Sequence, residues 1–153
     1  MRFLDTNILV YAALNQDPVK HRLAALLVKD ALLNNDGVIS AQVINEFANT
    51  LFKKTRRTPR EIQELISRFM PLNRMDMTTA LVNEAIEIKT RYELQYYDAL
   101  IVAAAKRCGC DTLLTEDLND GQTYDGVLCR DPFKKRHKPS PQFRPKPEIK
   151  VNT

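Results

Sequence analysis

Short apolar runs alternate with helix-length amphipathic segments from Phe3 to Leu128, and this alternation narrows the folds open to the chain more than any other feature. Residues 2–4, Val38-Ile39, Thr112-Leu113-Leu114 and Val127-Leu128 each suffice for a short buried strand, and 72–77 holds room for another. Between them lie helical segments. An apolar stretch from Ile8 to Leu14 makes a short first helix. Asp17-Pro18 opens a second, with the acid as N-cap and proline where its missing N–H costs nothing, and Leu23, Leu26, Leu27 and Ala31 continue at helical spacing. Ser40 caps a third, whose face is Val43, Ile44, Phe47, Ala48, Leu51 and Phe52. Thr58-Pro59-Arg60-Glu61 is a capping box ahead of Ile62, Leu65, Ile66 and Phe69. A helix over 79–91 offers Leu81, Ala85, Ile86 and Ile88 to the core. The segment 97–108 is apolar almost all round, so it must lie centrally. Strands joined by helical crossovers pair in parallel, and such sheets need cover on both faces. The expected fold class is therefore α/β, a short parallel central sheet flanked by helices on both faces.

At 153 residues, with 44% hydrophobic and 27% charged, the chain can bury one core and is short for two. No apolar stretch reaches the roughly 18 residues of a membrane span, and Asp5 interrupts any secretory signal, so the expectation is a cytoplasmic protein with no membrane partner. Cys108, Cys110 and Cys129 lack a zinc-site spacing and are read as reduced and structural. The net charge of +4 is unevenly spread. Residues 133–153 hold seven Lys/Arg against Glu148 alone, which leaves 16 basic and 18 acidic residues in 1–132. That last segment also carries Pro139, Pro141, Pro145 and Pro147 and few apolar residues. It reads as a basic, Pro-rich, mobile tail (133–153) on a mildly acidic domain (1–132).

Four carboxylates sit where apolar runs meet helical segments: Asp5, Glu46, Asp98 and Asp117. An unpaired charge in such places costs several kcal/mol unless something compensates it. In parallel sheets, functional groups gather beyond the carboxyl ends of the strands, where Asp5 and Asp117 fall directly. Two carboxylates about 4 Å apart repel by roughly 4 kcal/mol at an effective dielectric of 20, so a four-acid cluster asks for a shared cation. Hard oxygen ligands suit Mg²⁺ or Mn²⁺, and an ion so held orients and acidifies a water for attack on phosphorus. Taken singly, Asp5 or Asp98 reads equally well as a helix cap. Glu116 and Asp120 compete with Asp117 for the fourth place. Tyr96 and Tyr97, just before Asp98, are expected to pack at the helix entrance rather than stack on a base, and Gln95 is a poor N-cap.

The segments Phe-Leu-Asp5-Thr-Asn-Ile-Leu-Val-Tyr, Ile-Asn-Glu46-Phe, Tyr-Asp98-Ala-Leu-Ile-Val-Ala-Ala-Ala and Leu-Leu-Thr115-Glu-Asp117-Leu, in that order, resemble the PIN-domain ribonucleases, most closely the VapC-type toxins of toxin–antitoxin pairs. The resemblance covers about residues 1–133. It implies a PIN-like three-layer fold and Mg²⁺ or Mn²⁺ held by Asp5, Glu46, Asp98 and Asp117, with Thr6, Asn7 and Thr115 in support. It further implies RNA hydrolysis to 5′-phosphate and 3′-hydroxyl ends, a homodimer and a cognate antitoxin. A stand-alone RNA-processing nuclease and a nucleic-acid-binding module without catalysis are the alternatives. Lys134, Lys135, Arg136 and Lys138, at the start of the basic tail, are the expected RNA contacts.

Overall fold

The computed structural model describes residues 1–135. Its elements run β1 (Arg2–Leu4), α1 (Thr6–Ala13), α2 (Pro18–Leu33), β2 (Gly37–Ser40), α3 (Ala41–Lys54), α4 (Pro59–Ser67), β3 (Asn73–Met75), α5 (Thr79–Tyr92), α6 (Tyr96–Arg107), β4 (Thr112–Leu114), β5 (Thr123–Tyr124) and β6 (Val127–Arg130). The six strands form one sheet in the order β3-β2-β1-β4-β6-β5, with helices on both faces. Every pairing is parallel except β5 with β6, an edge hairpin that the sequence reading did not anticipate. Its turn is Asp125-Gly126, both at positive φ (46° and 87°), which is the geometry that two-residue hairpins prefer.

The N-terminal ends of the helices follow the sequence signals. Asp17 accepts from the Val19 and Lys20 N–H groups, Ser40 from Val43, and Thr58 with Glu61 completes the capping box. Gln95 makes no side-chain cap bond, and α6 begins one residue earlier than expected, at Tyr96. Ala99 to Ala105 of α6 are all buried, as an all-round apolar helix requires, and the helix contacts β2, β4 and β6. The sheet core is Phe3, Leu4, Val38, Ile39 and Leu113.

The face of α2 differs from expectation, as do single residues of α3 and α5 whose faces otherwise hold. In α2 the buried residues are Ala24, Val28 and Ala31, while Leu23 and Leu26 are exposed. The reason is close approach: a Cβ on Gly37 of β2 would come within 2.7 Å of the Ala31 Cβ and of Leu72 Cδ2. Small residues must face the sheet there, and the leucines turn outward. In α3 and α5 the buried series are Val43-Phe47-Leu51 and Leu81-Ala85-Ile88, each stepping by three or four residues. Phe52 and Ile86 lie one residue further round and are more than half or half exposed, at 58% and 50%. Gly37→Ala is expected to cost about 2 kcal/mol, because both neighbours are side chains in a packed core; a chemical denaturation midpoint unchanged from wild type would contradict the close packing.

The hairpin is tied to the helices through Asp125. Its carboxylate accepts from Arg91, from Tyr92 Oη at 2.9 Å and from Lys106 Nζ at 3.0 Å, while Tyr92 Oη accepts from the Asp125 N–H. Burial alone would raise the Asp125 pKa, but the bonds from Arg91, Lys106 and Tyr92 outweigh it and bring it down to about 2. A depressed folded pKa contributes stability that is present above about pH 4 and is lost as pH falls toward 2. Both cations are solvent-exposed, so the expected contribution after screening is about 1 kcal/mol. Asp125→Asn, which tolerates the same positive φ, should lose that amount at pH 7 and much less near pH 2, which melting curves at the two pH values would read directly. The described residues contain no helix long and apolar enough to cross a membrane, and Cys108, Cys110 and Cys129 are free.

Candidate active site

Parallel pairing brings the carboxyl ends of β1, β2 and β4 to one edge of the sheet, with Leu4 in register with Leu114. Asp5 leaves β1 there, Ser40 leads into α3 and its Glu46, and Thr115 leaves β4. The loop after Thr115 carries Asp117, and Asp98 arrives from the first turn of α6.

Asp5 is the most constrained of the four. It is 6% exposed and caps α1 through the Thr6 N–H at 2.7 Å, while the Thr115 hydroxyl donates to its other oxygen at 2.6 Å. Burial pushes its carboxyl up to about 6 against the pull of those two bonds, and repulsion from Asp117 and Glu46 adds to the rise. Asp98 is half-buried and shifts upward for similar reasons: burial first, then Asp117 and Glu46. Asp5 and Asp98 therefore both feel Asp117 and Glu46.

Polar neighbours fix their directions. Thr6 Oγ1 donates to Glu46 Oε2 at 2.8 Å, and Gln42 Nε2 donates to Oε1 at 2.7 Å. Gln42 also reaches the Tyr97 carbonyl at 3.2 Å, joining α3 to the start of α6. Asn7 Nδ2 lies between Asp117 Oδ2 (3.1 Å), Asp5 Oδ2 (3.3 Å) and Thr115 Oγ1 (3.4 Å). The Asp117 N–H donates to Thr115 Oγ1 at 3.1 Å.

The other two acids of the 116–120 loop are held by other partners. Glu116 accepts from Lys20 Nζ and from Tyr11 Oη, each at 2.6 Å. That pairing raises the Lys20 pKa, chiefly through Glu116 and then Tyr11. Asp120 lies 4.0 Å from both Arg130 and Lys134 and accepts from the Asp131 N–H. Of the three, Asp117 is the one turned to Asn7 and Asp5.

Sequence reasoning missed Gln42, although its position four residues before Glu46 on one helix face was a usable signal. It also missed Tyr11 and Lys20, for which no local signal exists, since Glu116 lies 96 residues from Lys20. Tyr96 packs partly into the core as expected, but Tyr97 does not: the residue is 65% exposed. Phe133 packs edge-on against Tyr11, with ring centroids 5.0 Å apart. Lys134 and Lys135 are exposed, and Arg136 and Lys138 lie outside the described residues.

Two clefts flank Glu46. One, of about 520 Å³, includes Thr6, Asn7, Tyr11, Glu116 and Asp117, with Lys54 as the one cation among its described lining residues. The second, of about 500 Å³, lies on the side of Tyr97. Both include Glu46 and Asn49.

The donor set suits a hard cation. All four acids offer oxygen, they repel one another, and Asn7 Oδ1 is buried without a hydrogen-bond partner. Among the described residues, no three His, Cys, Asp or Glu side chains converge closely enough to hold an ion directly. Mg²⁺ makes no such demand, because it commonly keeps several waters and binds through one or two carboxylates.

A family model described as PIN domain matches residues 2–121. Among solved structures, the chain is similar to a toxin–antitoxin complex from Klebsiella pneumoniae, at 21% identity and a TM-score of 0.64, covering 88% of this chain and 100% of that one. It is also similar to VapBC2 from Rickettsia felis bound to a promoter DNA fragment, at 23% identity and a TM-score of 0.61, covering 84% and 96%. A third is the sarcin–ricin-loop-cleaving toxin VapC20 of Mycobacterium tuberculosis, at 18% identity and a TM-score of 0.58, covering 74% and 87%. At these identities the likeness establishes the fold. No curated protein matches the chain at a significant level.

Proposed function

We propose that this chain, which belongs to the PIN-domain family, is a Mg²⁺- or Mn²⁺-dependent endoribonuclease acting in the cytoplasm as the toxin of a toxin–antitoxin pair. The observation that carries the reading is that Asp5, Glu46, Asp98 and Asp117 all lie at the carboxyl edge of the parallel sheet, near enough that Asp117 and Glu46, after burial, raise the pKa of both Asp5 and Asp98. The toxin role is supported by the Klebsiella and Rickettsia assemblies, and RNA as substrate by the sarcin–ricin-loop-cleaving toxin.

In this reading the four acids would hold the ion together, one or two directly and the others through its waters. When bound, it offsets charge on the phosphate and lowers the pKa of a water, so that hydrolysis proceeds near neutral pH. The chain's own groups prepare that site. Thr6 and Gln42 hold both oxygens of Glu46 in place, so little reorganisation is left for the reaction. Thr115 and the Thr6 N–H fix Asp5. Asn7 bridges Asp5 and Asp117 and lessens their repulsion. Lys54, in the cleft that includes Asn7 and Asp117, supplies a positive charge for the strand's phosphates. Water oxygen bonds to phosphorus as the bond to the 3′ oxygen breaks; that oxygen takes up a proton, and the products carry 5′-phosphate and 3′-hydroxyl ends.

The proposal includes a homodimer and a small antitoxin as protein partners. It also treats 1–132 as the nuclease domain, with Lys134, Lys135, Arg136 and Lys138 of the basic tail adding RNA affinity. The test is expression in cells with and without the product of a neighbouring short reading frame. Growth arrest with RNA cleavage, reversed by that partner, is expected. Cleavage that no neighbouring product inhibits would remove the toxin role and leave a stand-alone nuclease.

A further inference from the structure

The cleft beside Tyr97 has a different chemistry from the cleft beside Lys54. Gln42, Asn45, Asn49, Met77, Tyr97 and Leu100 line it, so it offers three amides, a thioether, a phenol ring and an aliphatic wall, with Glu46 at its margin. A phosphate entering there would meet the Glu46 carboxylate and no cation. A flat, uncharged group with hydrogen-bonding edges fits the lining, and about 500 Å³ lies within the usual range of ligand sites.

Tyr97 marks where such a group would lie. The two tyrosines at the start of α6 sit edge-on at 5.3 Å, yet Tyr96 packs against the core while Tyr97 as a residue is 65% exposed. Its backbone is nevertheless pinned, because the Tyr97 carbonyl accepts from Gln42, which also holds Glu46. An exposed ring on a fixed backbone, next to exposed Asn45 and Asn49, is the arrangement with which proteins take up an unpaired base: the ring stacks on its face and the amides meet its edge.

We propose that this cleft is a nucleobase subsite for single-stranded RNA, in which Tyr97 stacks on one base and Asn45 and Asn49 bond to its edge. The inference rests on the reading of the acid cluster as a site for RNA. Because Glu46 and Asn49 belong to both clefts, a strand that runs past Lys54 and the acids delivers the base next to the scissile phosphate into this subsite. A base inside a duplex, stacked on both sides, is excluded.

The test measures fluorescence anisotropy of the full chain with labelled single-stranded RNA in chelator, where no turnover occurs, using the intact strand and a series with one abasic residue at each position in turn. Stacking of one base contributes roughly 5- to 150-fold in affinity. The expected result is that one abasic position weakens wild-type binding about 10-fold. Tyr97→Ala should weaken binding of the intact strand equally and cause no further loss on that abasic strand, and Tyr97→Phe, which keeps the stacking face, should bind as wild type does. The proposal is overturned if Tyr97→Ala binds the intact strand within twofold of wild type, or if it loses as much on every abasic strand, which would mean that Tyr97 meets something other than a base. Failure of the nuclease reading is separate: wild type that binds with this base dependence but cleaves no RNA in Mg²⁺ or Mn²⁺ keeps the subsite and loses the reaction.

Discussion

Asp5→Asn is expected to lower Mg²⁺- or Mn²⁺-dependent RNA cleavage by at least roughly 100-fold, more than the 10- to 100-fold typical for a group that merely supports a metal ligand, and to raise the melting temperature of the metal-free protein. The two effects share one cause. The Asp5 carboxyl is buried, and its pKa is pushed up to about 6. An acid whose folded pKa lies above its unfolded value favours the fold while it is protonated. That contribution is complete below about pH 4 and is lost as pH rises through 6, so at pH 7.5 the ionised group weakens the fold. Asparagine keeps the cap to Thr6 and removes the charge. It also offers N–H donors where the Thr115 hydroxyl and Asn7 Nδ2 already donate, which takes back part of the gain. A net gain of about 1 kcal/mol, roughly 2–4 °C, is expected at pH 7.5, shrinking at pH 4. Melting curves at both pH values together with cleavage rates decide the matter: an active variant, or an inactive one that melts well below wild type at pH 7.5, contradicts the account. Thr115→Val, which leaves all four carboxylates, should lose only 10- to 100-fold in rate.

Millimolar Mg²⁺ or Mn²⁺ should raise the melting temperature of the wild type, because a ligand that binds only the folded state adds to its stability. At ten times its dissociation constant the gain is about 1.4 kcal/mol, or roughly 3–5 °C. The variant with Asp5, Glu46, Asp98 and Asp117 all changed to the amides should start higher, having lost the mutual repulsion, and gain nothing from the ion. Equal shifts in the two proteins would mean that the ion binds elsewhere.

Features written in adjacent residues were legible in the sequence, and those assembled from distant ones were not. Asp17-Pro18, Ser40 and the Thr58 box announce their helices, and the apolar run Ala99–Ala105 announces a central one. The parallel sheet follows from crossover lengths. Tyr124-Asp125-Gly126-Val127 was an equally local hairpin signal, passed over because each flanking apolar run is so short. Leu23 and Leu26 of α2, and the single residues Phe52 of α3 and Ile86 of α5, depart from expectation for a different reason: a helix buries what its neighbours leave room for. Ala31 against Gly37 turns Leu23 and Leu26 outward, a contact that no periodicity encodes.

The candidate site divides in the same way. Asp5, Glu46, Asp98 and Asp117 stand out because they interrupt apolar sequence, and the motif order supplied the family. Which acid of the 116–120 loop faces the others depended on Lys20 and Tyr11, which hold Glu116 aside from another part of the chain. The exposure of Tyr97 likewise depends on how α6 sets beside α3.

The central claim is that four carboxylates, through one kind of hard cation, direct a water against an RNA phosphate. Determining the chemistry of the RNA ends left by the purified full chain in Mn²⁺, alongside Asp98→Asn, tests it most directly. The account predicts 5′-phosphate and 3′-hydroxyl ends from the wild type, no cleavage in chelator, and none from Asp98→Asn. Ends bearing 2′,3′-cyclic phosphate and 5′-hydroxyl would show the ribose 2′-hydroxyl as nucleophile in place of water, and together with an active Asp98→Asn would contradict it.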